Sequence, residues 1–126
     1  MSVVGIGNDI VEIVRILDMA EPVRLKLAKR VLTPRELEIF NSIKFPERYL
    51  AKRWAGKEAA AKALGTGIAQ GVSFQHIDIQ SLDTGQPQLV FSDKALEFAQ
   101  NLGATSWHIS LSDEASYATA FVILSR

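Results

Sequence analysis

No cysteine occurs among the 126 residues, so disulfides, thiolate metal centres and thiol nucleophiles are all excluded. No apolar run approaches the roughly eighteen residues that a membrane span requires, and no basic segment followed by an apolar stretch and a cleavage site opens the chain. These absences predict a soluble protein of the reducing cytoplasm with no membrane partner. Net charge is absent too, with 14 basic and 14 acidic side chains, but their distribution is uneven. Residues 1–14 hold two acids and no base, 15–70 hold twelve bases and six acids, and 71–126 hold two bases and six acids. A basic segment in a neutral chain points to one acidic partner or a phosphorylated ligand, and away from general nucleic-acid binding.

The nucleotide-binding fingerprints are missing as well. Gly5-Ile6-Gly7 follows a strand-like run, but Ile10 stands where a dinucleotide loop has its third glycine, and Gly65-Thr66-Gly67 has Gln70 at that place. No Gly-Lys-Ser/Thr sequence supplies a P-loop. There is no repeat, low-complexity tract or linker, and nearly half of the residues are apolar, so residues 1–126 read as one small domain.

What the chain does contain is a mixed order of elements. Ser2 to Gly7 reads as a short buried strand ended by Gly7-Asn8-Asp9, and Ile10 to Met19 as a helix up to the Glu21-Pro22 break. A basic helix follows over Val23 to Arg30. Thr33-Pro34-Arg35-Glu36 is a capping box with proline at the first helical position, opening a helix to about Ile43. Pro46 precedes the main helix, Glu47 to Leu64. After Gly71 the period falls to two, with a hairpin turning at Asp83-Thr84-Gly85, a helix from Asp93 to Leu102 that Ser92 is placed to cap, and strands at Ser106–Leu111 and Tyr117–Leu124. The expected class is α+β, an antiparallel sheet packed against a long central helix.

The main helix carries the chemistry. In Trp54-Ala55-Gly56-Lys57-Glu58-Ala59-Ala60-Ala61-Lys62, positions 54, 58 and 62 share one face. An acid four residues before a base is more often an ordinary ion pair than a site. Gly56, costly inside a helix by roughly 1 kcal/mol against alanine, says that something approaches closely. Gly65-Thr66-Gly67 reads as a helix C-cap or as an anion-binding turn. In Trp107-His108-Ile109-Ser110-Leu111-Ser112, Ile109 and Leu111 face one way and the polar residues the other, as a solvated face or a pocket wall. Alternating neighbours on one strand cannot form a Ser-His-Asp triad from Ser110, His108 and Asp113.

Gly5-Ile6-Gly7-Asn8-Asp9-Ile10-Val11-Glu12-Ile13, Trp54-Ala55-Gly56-Lys57-Glu58-Ala59 through Lys62-Ala63, Gly65-Thr66-Gly67 and His108-Ile109-Ser110 closely resemble holo-acyl-carrier-protein synthases. These are the small 4'-phosphopantetheinyl transferases, and the resemblance covers essentially the whole chain in the same order and spacing. Trp54 stands where the family often has Phe, and Gly56 where it often has a larger residue.

The resemblance implies transfer of phosphopantetheine from coenzyme A to a serine of apo acyl carrier protein, releasing adenosine 3',5'-bisphosphate. By position, Asp9 and Glu58 match the magnesium ligands and Lys62 the lysine set against the reacting phosphates. The general base is either Glu58 or a metal-bound water that it positions, and Lys57 supports. Gly65, Thr66, Gly67 and His108 match positions near the coenzyme A phosphates, with Arg53 toward the 3'-phosphate. Arg15, and less directly Arg24 with Lys26, match arginines that meet the acidic carrier. The family is also typically a homotrimer with sites between subunits. Glu12 fits either the metal's surroundings or a helix N-terminus. The rival readings are a non-catalytic module holding coenzyme A or a carrier, and a magnesium-dependent phosphate-ester hydrolase.

Overall fold

The computed structural model describes residues 2–126. Strand β1 (Val3–Glu12) leads into α1 (Ile13–Leu17), α2 (Glu21–Val31), α3 (Pro34–Phe40) and α4 (Pro46–Leu64). A 3₁₀ turn (Phe74–His76) then opens the hairpin of β2 (Ile77–Ser81) and β3 (Pro87–Phe91), followed by α5 (Asp93–Asn101), β4 (Ser106–Asp113) and β5 (Tyr117–Ser125). The main sheet is antiparallel in the order β1-β5-β4. The α+β class and the long helix against the sheet match the sequence reading. No helix among the described residues is long and apolar enough to cross a membrane.

The largest departure is at the start. The strand does not stop at Gly7 but pairs with β5 as far as Glu12 opposite Tyr117, so residues 10–12 are strand and not helix. Pairing to a strand more than a hundred residues away outweighs the local helical pattern. Asp9 therefore lies inside β1. Two smaller differences follow from local hydrogen bonding: α3 ends at Phe40, where Asn41 N donates to Leu37 O, and the Ser92 hydroxyl caps nothing, leaning 3.4 Å from His76 O instead.

Alternation along β1, β5 and β4 gives the sheet two unlike faces. Inward go Gly7, Val11, Ala118, Ala120, Val122, Leu124 and Ile109, all buried against α4. The helix meets them with Ala55 and Ala59, both fully buried, and the approach is so close that a Cβ on Gly7 would strike the Ala59 carbonyl. Gly56 answers the close approach that its sequence position implies: a Cβ there would lie 2.6 Å from Ile79 Cδ1 and 3.2 Å from Ile109 Cδ1. The approaching groups are the protein's own core. Outward go Ile6, Ile10 and Phe121, exposed at 60%, 59% and 41%, beside Ser110, Ser112 and His108.

One buried ion pair ties the helices to the hairpin. Lys57 and Glu36 are fully buried, with Nζ 2.5 Å from Oε1. Lys57 also donates to the carbonyls of Val31 and Phe74, while Glu36 accepts from Thr33 N in the capping box and from Ile79 N. Each polar atom is satisfied, the condition under which a buried pair is tolerated. Lys57 thus turns away from the chemistry and into the core.

Candidate active site

Strand β1 and helix α4 bring three of the expected residues together at the sheet edge. Lys62 Nζ donates to Asp9 Oδ1 at 2.9 Å and to Asn8 O at 3.0 Å, binding the edge strand to the last turn of α4. Lys62 is half exposed, so the pair stands at a mouth and not in the core. Glu58 lies one turn earlier on the same helix face. Burial first, and the Asp9 charge second, push its carboxyl above the ordinary glutamate value, against the pull of Lys62, Arg30 and Trp54. A groove of about 510 Å³ runs from Asp9 and Lys62 across the outer face of the sheet to Ser110 and Ser112. Ser110 and Ser112 of the polar stripe of β4 therefore form a groove wall, without His108.

These groups suit a hard divalent cation. Asp9 and Glu58 offer only oxygen, their charges repel one another across the site, and the cation now offsetting Asp9 is an exposed, flexible lysine. Magnesium takes one or two carboxylates together with substrate phosphates and water, and no group of three or more His, Asp or Glu side chains exists among the described residues to favour a closed metal cage.

A raised carboxyl value fixes the sign of a stability effect. The folded chain holds the Glu58 proton to higher pH than the unfolded chain does, so the contribution is present below the unfolded value and is lost as pH rises through the folded one. Metal-free Glu58→Gln is therefore expected to melt above the metal-free parent at pH 7, with the gap closing near pH 4. A thermal scan at both pH values checks this, and identical melting at pH 7 contradicts it.

The remaining expected residues lie elsewhere. Gly65 caps α4 with φ of 82°, and the N–H groups of Gly65, Thr66 and Gly67 are all used on the carbonyls of Ala61 and Lys62. The turn is a C-cap, in which the orphan carbonyls of the helix end claim those donors. Arg53 lies five residues before Glu58, about 140° round the helix. It is buried, stacks on Tyr49 with Cζ 4.6 Å from the ring centroid, and donates to Ser81 Oγ at 3.1 Å. Its Nε is buried without a partner. It borders a basic cleft with Lys44, Arg48 and Lys52, away from Asp9 and Glu58. His108 projects from the outer face of β4, while Asp9 belongs to the inner face of β1. Glu12 sits at the strand end, where its Oε2 lies 3.4 Å from Tyr117 Oη. Arg15 on α1 lies over the Trp54 ring at 5.7 Å, next to the site, and Arg24 is on the neighbouring α2.

The sequence reading did not find Asn8, whose backbone carbonyl anchors Lys62, or Arg30, whose charge acts on Glu58. A main-chain acceptor leaves no trace in residue type.

A family model described as the 4'-phosphopantetheinyl transferase superfamily matches residues 5–122. A holo-[acyl-carrier-protein] synthase of Shewanella denitrificans is 56% identical over 124 residues, covering 98% of each chain. The crystal structure of the holo-[acyl-carrier-protein] synthase from Neisseria meningitidis superposes with a TM-score of 0.89 at 40% identity, over 99% of this chain and 100% of that one. The enzyme of that name from Helicobacter pylori, solved in complex with coenzyme A, superposes with a TM-score of 0.81 at 32% identity, over 95% and 99%. The chain belongs to the holo-[acyl-carrier-protein] synthase family of 4'-phosphopantetheinyl transferases.

Proposed function

We propose that the protein transfers the 4'-phosphopantetheine arm of coenzyme A to a serine hydroxyl of apo acyl carrier protein. The observation that carries this is the convergence of Asp9, Glu58 and Lys62 at the β1 edge, over an open groove, in a chain of this family. The serine oxygen bonds to the pantetheine-linked phosphorus of the pyrophosphate. The bond from that phosphorus to the bridging oxygen breaks, and adenosine 3',5'-bisphosphate leaves. Lys62 supplies a mobile point charge for the negative charge that develops on the phosphates. The serine proton passes to Glu58 or to a water that Glu58 positions. Asp9 and Glu58 would hold Mg²⁺, which when bound neutralises phosphate charge.

Arg15 and Arg24, with Lys26 beside them, give α1 and α2 a basic surface next to the site, suited to steering an acidic carrier. The exposed Ile6, Ile10 and Phe121 support self-association through the outer sheet face, as a homotrimer. His108 on that face, and Arg53 from its cleft, would then meet coenzyme A bound to a neighbouring subunit. A cytoplasmic role in supplying holo carrier for fatty-acid synthesis completes the reading.

The test is chromatographic: adenosine 3',5'-bisphosphate should appear from coenzyme A only when apo carrier is present. Release without carrier would favour a hydrolase, and binding of coenzyme A without release a non-catalytic module.

A further inference from the structure

Helix α1 is five residues long and is seated by Ile13 and Ile16, both buried, with Arg15 exposed between them. Acidic residues stand three positions to either side of it, Glu12 and Asp18, a spacing that allows helical ion pairs. Arg15 pairs with neither, and it forms no ion pair among the described residues. Its guanidinium lies over a ring instead, with Cζ 5.7 Å from the centroid of Trp54.

That ring belongs to α4, one helical turn before Glu58 and on the same face. The indole is partly buried and packs against the core, so it is a fixed surface. An exposed arginine without such a surface samples many rotamers and loses that freedom when it binds an acid. A cation held over a ring face keeps its N–H donors for an incoming oxyanion, which one held by a carboxylate does not. Indole is also the ring that attracts a cation most strongly, ahead of phenyl. The contact therefore ties the guanidinium of α1 to the helix that carries Glu58 and leaves its donors unspent.

We propose that Trp54 is a positioning residue for carrier binding, its ring holding the Arg15 guanidinium ordered over α4 before the acidic partner arrives. The assignment rests on the phosphopantetheinyl-transfer reading. A double-mutant cycle tests it, with carrier modification followed in the parent, Trp54→Leu, Trp54→Phe, Arg15→Gln and the combined Trp54→Leu, Arg15→Gln protein. Trp54→Leu should raise KM for the carrier about two- to fivefold, the worth of an exposed cation–π contact, with kcat and KM for coenzyme A unchanged. Trp54→Phe should fall between, since a weaker ring survives. In the Arg15→Gln background, Trp54→Leu should add nothing. Trp54→Leu keeps the charge and so the salt dependence of the parent, which Arg15→Gln lessens. Additive losses in the cycle, or an unchanged carrier KM in Trp54→Leu, would overturn the assignment. Equal rises in KM for carrier and coenzyme A would overturn it too, because they report a deformed α4. A parent that binds a carrier without modifying it would refute the reaction alone, and the same cycle read as calorimetric carrier affinity then decides the role of Trp54. A parent that binds no acyl carrier protein refutes both.

Discussion

Asp9→Asn and Glu58→Gln are each expected to abolish measurable transfer while leaving the circular dichroism spectrum of the parent. Each substitution removes one of the two carboxylates that converge with Lys62, so the loss should exceed the roughly 10- to 100-fold that follows when a group merely behind a metal ligand is changed. The two variants should differ in stability. Asp9→Asn gives up the charge attraction to Lys62, a half-exposed pair worth little in water, whereas Glu58→Gln relieves a carboxyl that burial and Asp9 disfavour. Glu58→Gln is thus the case in which activity falls as the fold gains, the signature of a group kept for chemistry at a cost in stability. Raising magnesium should restore neither variant. Steady-state rates of carrier modification across a magnesium titration check this, and activity within tenfold of the parent in either variant would remove that residue from the site.

Lys57→Met is expected to be the most destabilising single change. It leaves the Glu36 carboxylate fully buried without its cation and takes a donor from Val31 O and Phe74 O together. Breaking one side of a buried pair costs about 3–5 kcal/mol, which for a domain of this size lowers the melting midpoint by roughly 10–20 °C. Burial pulls the Lys57 ammonium below its ordinary value and the Glu36 carboxylate pushes it back up, so the pair stands or falls as a unit. Glu36→Leu combined with Lys57→Met should accordingly lose less than the two single changes added together. A melt showing additive losses, or Lys57→Met within about 1 kcal/mol of the parent, would contradict the coupling.

The same residues show how far the sequence could be read. The capping box was legible because its partners are three residues apart: Thr33 and Glu36 cap the start of α3 as expected. The second use of Glu36, binding Lys57 and Ile79 N, joins positions 21 and 43 residues away and has no local pattern. Trp54, Glu58 and Lys62 were placed on one face by helical spacing alone. Asp9, by contrast, reached the site only through resemblance, since local pattern ended its strand at Gly7 and the register with β5 is a long-range fact. Gly56 announced a close approach, but not that Ile79, Ile109 and Leu111 make it. The Gly65-Thr66-Gly67 turn had two readings, and its N–H groups bond to Ala61 O and Lys62 O as a helix cap does.

The most direct measurement is the intact mass of an apo acyl carrier protein incubated with this protein, coenzyme A and Mg²⁺, beside a sample containing EDTA. A gain of one phosphopantetheine, absent with EDTA, is the predicted result. An unchanged carrier mass, from protein that is folded and binds coenzyme A, would contradict the transfer reaction itself.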